Sequence, residues 1–152
     1  MTMPVEQQFY QSANAYYQGA TLLMKPPAGG EPNPFLVQPA VTCAALSLKL
    51  YLKTLLALEG GDRDDAFTNI VDLYSGLSSE RKNALLQKFD ELSNTQMSAA
   101  ELNGHLEALD NAFVRWRYVH EEDARSVNLD DLEEMILAVK ATIGSLKPEW
   151  QA

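Results

Sequence analysis

The chain is 152 residues long, 46% hydrophobic and 22% charged, with 12 basic residues against 21 acidic ones and a formal net charge of −9. That length and composition fit one globular domain with a real core, and exclude both a disordered chain and two comfortable domains. The negative balance opposes non-specific attraction to RNA, nucleotides or duplex nucleic acid and leaves only a local basic patch to hold them.

A single cysteine, Cys43, forms no intrachain disulfide and reads as a small core residue. The N-terminus, Met1 to Gln7, lacks the basic and apolar regions of a secretory signal. The apolar run from Pro39 to Leu58 is interrupted by Lys49 and Lys53 and reads as a buried helix, not a membrane span. A cytoplasmic protein without membrane association is the expectation.

Six helical segments and no strand can be read along the chain, which predicts an all-α helical bundle of five to six helices in a single domain. The first helix spans about Val5 to Met24, with Val5, Phe9, Ala13, Tyr16, Ala20 and Leu23 at three- and four-residue steps on one face. A loop rich in proline and glycine over residues 25–38 breaks it. The second helix, about Pro39 to Leu58, carries Leu46, Leu48, Leu50, Leu52, Leu55 and Leu56 around nearly its whole circumference, as the central helix of a bundle would. Gly60-Gly61 supplies a left-handed residue to end it.

A short segment follows at Asn69–Leu77, then a helix from Ser79 to Leu92 with Ser78 as N-cap. Ser98-Ala99-Ala100-Glu101 is a capping box that opens a long fifth helix continuing to about Glu122. Leu102, Leu106, Leu109, Phe113, Trp116 and His120 form its apolar stripe. The last helix starts after Asn128, with Asp130, Asp131, Glu133 and Glu134 at the positive end of its dipole, and stops at Lys147-Pro148.

Metal and cofactor chemistry finds no support. His105 and His120 are fifteen residues apart, about 22 Å along one helix, and cannot share an ion within a chain. There is no HExxH motif, phosphate loop or calcium loop; the clusters Asp62–Asp65 and Asp130–Glu134 read as turn and helix-start electrostatics. The richest concentration of chemistry lies between Asn111 and Glu122, which holds Arg115, Trp116, Arg117, Tyr118 and His120. Arg117 and Glu121 are one turn apart and predict an ion pair. Arg115 and His120, five residues apart, point about 140° away from each other on a straight helix. They converge only if the helix loosens or a second subunit contributes its copy.

Two segments resemble a known family. Ala44-Ala45-Leu46-Ser47-Leu48-Lys49-Leu50-Tyr51-Leu52-Lys53-Thr54-Leu55-Leu56 is similar to the second-helix signature of HEPN domains (higher eukaryote and prokaryote nucleotide-binding). Asp72-Leu73 followed by Leu77, and Phe113-x-x-Trp116-Arg117-Tyr118-x-x-Glu121, resemble that family's short third helix and late-helix motif. The resemblance covers roughly residues 5–145 and implies an up-and-down helical core, usually homodimeric, in a superfamily used in defence, toxin–antitoxin and RNA-processing systems. Its catalytic members are metal-independent endoribonucleases with an Arg-x4-6-His motif, which would make Arg115 the phosphate holder and His120 the proton carrier.

Three departures tilt the expectation away from catalysis. Trp116 stands where Asn or Asp is expected, Lys49 replaces an acidic residue, and no histidine precedes Asp72. The favoured reading is therefore a non-catalytic, homodimeric HEPN-like module binding a protein or nucleotide ligand. In it Arg117, Tyr118 and Glu121 brace the fifth helix against the second, with Lys53 paired to Asp72. The competing reading is a metal-independent endoribonuclease built on Arg115 and His120.

Overall fold

The computed structural model describes residues 2–25, 30, 33–60, 69–93, 98–118 and 129–151; within these, the side chains of 34, 93, 111–118, 129–131 and 151 are not described. The chain is an all-α helical bundle, with six α-helices and no strand among the described residues. They are α1 (Val5–Met24), α2 (Val37–Leu58), α3 (Ile70–Ser75), α4 (Ser79–Ser93), α5 (Ala99–Tyr118) and α6 (Leu129–Leu146). Short 3-10 turns at Pro34–Leu36 and Pro148–Gln151 precede α2 and follow α6.

The centre of the bundle is α2. Every residue from Ala40 to Glu59 is buried or half-buried, and Leu48, Tyr51, Leu52 and Leu55 are fully enclosed. By length and composition it is the one described helix apolar enough to cross a membrane, yet most of its surface is covered by protein. The helix begins two residues earlier than the hydropathy pattern predicts, at Val37, so Pro39 falls in its first turn. A proline is tolerated there because the first-turn N–H groups have no intrahelical acceptor. At the other end Gly60 takes φ +80° and donates its N–H to the Ala57 carbonyl, ending the helix as the glycine pair predicts.

α1 lies antiparallel along α2. Its core face differs from the predicted stripe: Tyr10, Ala13 and Ala20 are buried, whereas Val5 and Tyr16 are exposed. The helix is rotated so that its larger polar-tipped side chains find distant partners. Tyr10 packs against Tyr51 and Trp150, with ring centroids 5.8 and 5.5 Å away. The Tyr51 hydroxyl donates to Asn14 Oδ1, and the buried Ser47 hydroxyl donates to the Ala13 carbonyl at 2.8 Å. Two fully buried hydroxyls thus face α1 and are satisfied there, which fixes its register.

On the far side of α2, α6 contributes Leu132, Met135, Ile136, Val139 and Ile143 to the core, and α4 contributes Leu85 and Phe89. α5 joins through Leu102, Leu106 and Leu109, all buried as predicted. The stripe's continuation at Phe113 and Trp116 falls on α5 residues whose side chains are not described, and the predicted extension to Glu122 lies outside the described residues. The serine half of the predicted capping box forms at the start of α5: Glu101 N–H donates to Ser98 Oγ at 3.1 Å, and that hydroxyl in turn donates to the Glu101 carboxylate.

Two helices are capped by side chains from elsewhere in the chain. The Asp110 carboxylate on α5 accepts the N–H groups of Ile70 and Val71 at 2.8 and 2.9 Å, and Asn69 Oδ1 accepts that of Asp72 at 2.7 Å. These three bonds satisfy the first turn of α3. The Glu59 carboxylate after α2 accepts the Ser78 N–H at 3.1 Å and pairs with Arg81 at 3.4 Å, pinning the start of α4. Ser78 is itself the predicted N-cap, its Oγ accepting the Arg81 N–H at 3.1 Å.

Two substitutions should act in opposite directions. Asp110→Ala removes two charge-assisted acceptors and is expected to cost about 2 kcal/mol of unfolding free energy in urea titration. Tyr74→Phe removes a buried hydroxyl that has no hydrogen-bond partner among the described residues. It should leave stability unchanged or raise it by about 1 kcal/mol in the same measurement.

Candidate binding site

The predicted catalytic and bracing residues are only partly visible. Arg115, Arg117 and Tyr118 belong to the last turn and a half of α5, but their side chains are not described, and His120 and Glu121 lie outside the described residues. The acidic cluster at Asp62–Asp65 also lies outside them. His105 is exposed on α5, and no group of three metal-ligating side chains occurs among the described residues.

Lys53 and Asp72 are placed on separate business. The Lys53 ammonium lies 5.8 Å from the centroid of the Phe9 ring, on the α1 side of α2. Asp72 sits on α3, beside Asn69, Val71, Glu107 and Asp110 in a shallow acidic hollow. Ion pairs join Arg81 to Glu59, Lys88 to Glu91 and Lys147 to Glu149. What fastens α5 to α3 among the described residues is Asp110, which the sequence reading did not single out. Forty residues separate it from the backbone it caps, so no local pattern announces it.

An open concavity lies elsewhere, between α1, α2 and α6. It is a groove of about 450 Å³ open along one side. Its floor is Ala20, Ala40, Val41, Ala44, Leu132 and Ile136. Three of those six are alanines, which leave unfilled the space that leucines would occupy. Tyr17, Thr21, Met24 and Lys25 of the α1 side and Glu133 of α6 form the rim.

Tyr17 closes one end of the groove. Its hydroxyl donates to Glu133 Oε1 at 3.1 Å, and Lys140 Nζ lies 5.9 Å from its ring centroid, so one side chain ties α1 to α6 through both its tip and its face. Burial, then the hydrogen bond to Glu133 and that residue's charge, hold the Tyr17 hydroxyl above the usual tyrosine range. The phenol therefore stays a hydrogen-bond donor at neutral pH and cannot serve as a base. With an apolar floor and a few polar groups at the edge, the site has the make-up of a ligand pocket and the right size for a small molecule. Nothing in the sequence pairs Tyr17 with Glu133: 116 residues separate them, and Glu133 reads only as one of the acids at the start of α6.

Comparison with family models, with curated proteins and with solved structures finds no match to this chain.

Three tyrosines give the fold an alkaline limit. Burial raises the hydroxyls of Tyr17, Tyr51 and Tyr74, with Tyr51 pushed furthest. In the unfolded chain they ionise near the ordinary value of 10.0, while the folded chain keeps the protons. The unfolded state then binds fewer protons, so stability falls as pH rises from about 10 through the raised folded values. Urea midpoints measured from about pH 8 to about pH 11 should drop, and Tyr51→Phe should flatten the fall. A variant slope equal to that of the unsubstituted protein would remove Tyr51 as its source.

Proposed function

We propose that this chain is a non-catalytic, HEPN-like binding module, cytoplasmic and homodimeric, whose ligand occupies the groove between α1, α2 and α6. The observation that carries this reading is the groove itself, about 450 Å³ in volume with an apolar floor and the Tyr17–Glu133 hydrogen bond at its rim. An apolar body fills the space over Ala20, Ala40 and Ala44. Glu133 has carboxylate lone pairs beyond the one that Tyr17 uses, so the ligand presents a hydrogen-bond donor, an amine, amide or hydroxyl, at that end. A cationic donor also suits a protein of net charge −9. The ligand class is thus a compact apolar molecule with one donor group.

The competing reading, a metal-independent endoribonuclease, rests on the Arg-x4-His spacing of Arg115 and His120. Two measurements separate them. Nile red, a neutral apolar dye, should bind the purified protein with a blue-shifted emission. Ala44→Leu, which fills the groove, should weaken that binding at least about tenfold while circular dichroism still reports a folded helical protein. Equal binding by both proteins would remove the groove as the site. Cleavage of mixed RNA in EDTA that His120→Ala abolishes in a folded protein would overturn the non-catalytic reading.

A further inference from the structure

We infer that the turn Asn33-Pro34-Phe35, at the entrance to α2, is a docking plug that inserts the Phe35 ring into a preformed apolar pocket on a second, unlike protein. The inference is independent of the groove, which takes a small molecule, whereas the turn takes a protein.

The first observation is exposure. Phe35 is 86% exposed, and the next most exposed large hydrophobic side chain described, Leu22, reaches 62%. Single apolar side chains on a surface are ordinary, but phenylalanine is among the residues most often fully buried. Here the ring belongs neither to the core cluster nor to the lining of the groove.

The second observation is the backbone that carries the ring. Asn33 Oδ1 accepts the Phe35 N–H at 2.9 Å, and the Asn33 carbonyl accepts the Leu36 N–H at 3.0 Å. A side-chain turn is thus nested inside a backbone turn. The residue between them is Pro34, and a proline at the second position of such a turn fixes φ in advance. Leu36 and Val37, both half-buried, then lead straight into the central helix of the bundle. The aromatic ring is therefore held out into water on a rigid mount. Because the turn is already closed, little conformational freedom is left to lose when the ring is bound.

Shape and charge together name the occupant. One ring on a tight turn is a knob, and a flat surface would cover only one of its faces; a pocket covers both. Asn33 is exposed, and its amide nitrogen carries two donors that the turn does not use. Those donors suit acceptors at the rim of an apolar pocket, where a few polar groups fix orientation. The net charge of −9 repels a second copy of this chain, nucleic acid and anionic lipid, and favours an unlike protein with a basic rim. An aromatic anchor seated in this way carries a large share of the binding free energy of an interface.

The test immobilises the full chain and passes over it a lysate of the cells that produce it, with Phe35→Ala, Asn33→Ala and Leu22→Ala variants in parallel. The retained protein is then purified and titrated calorimetrically against each chain. One protein should bind the unsubstituted chain and Leu22→Ala alike, and Phe35→Ala and Asn33→Ala should each raise its dissociation constant at least about tenfold. With p-benzoylphenylalanine in place of Phe35, photocrosslinks should fall on apolar residues lining one pocket of that protein. The thermal midpoints of all variants should stay close to that of the unsubstituted chain, since the substituted side chains are exposed. Retention of no protein in a Phe35-dependent way would overturn the inference, and so would equal binding by Asn33→Ala, which would make the turn irrelevant. Flotation of the chain with phosphatidylcholine vesicles, or self-association in sedimentation equilibrium, would overturn it too if Phe35→Ala abolished either. The dye reads the groove separately, so the two readings fail independently.

Discussion

The constraint that organises this protein is that α2 has too little polar surface to face water. A helix that is apolar almost all round must be wrapped, and one neighbour cannot do it. α1 covers one side, α6 another, and α3 and α5 close over parts of the remainder, with α4 held against α6. The burial of Leu48, Tyr51, Leu52 and Leu55 then sets where the other helices lie, because each must bring its own apolar stripe to the same axis. Six helices of ordinary propensity become one bundle through this single apolar helix.

Wrapping an apolar rod with short helices leaves many helix ends, and each end has backbone groups in need of partners. The chain meets this with carboxylates from neighbouring elements. Asp110 caps α3 from α5, and Glu59, just past α2, holds the start of α4. These contacts do two things at once, since satisfying an N–H group also sets the angle at which the capped helix leaves its neighbour. α3 is only six residues long and would not persist alone. Its position depends on Ile70 and Leu73 in the core and on the Asp110 carboxylate at its first turn.

Much of this was legible in the sequence because the signals are local. The N-caps at Ser78 and Ser98, the glycine stop at Gly60 and the leucine-rich α2 each depend on residues within a turn of one another. The rotation of α1 was not legible, because Tyr10 is buried by Tyr51 and Trp150, far along the chain, while hydropathy alone ranks Val5 and Tyr16 equally well. The groove was invisible for the same reason: Tyr17 and Glu133 meet only once the bundle has formed. Conversely, the segment that looked richest in chemistry, around Arg115, stands out by composition, and composition does not fix where side chains meet.

The groove and the close contact of α1 with α2 have one origin. Ala13 and Ala20 on α1, with Ala44 and Ala45 on α2, are small enough to let the two helices approach closely, which the Ser47 bond to the Ala13 carbonyl requires. Where α6 lies alongside, that closeness leaves no room for water and the contact seals well. Where α6 draws away from α1, near Ala20, Ala40 and Ala44, the same small side chains leave a volume that no residue of the floor can fill. Leucine at one of these positions would close the cavity; at Ala13 it would push α1 off the buried hydroxyls that hold its register. The cavity is therefore a consequence of how α1 is held, and it persists as long as the hydroxyls of Ser47 and Tyr51 keep that helix in place.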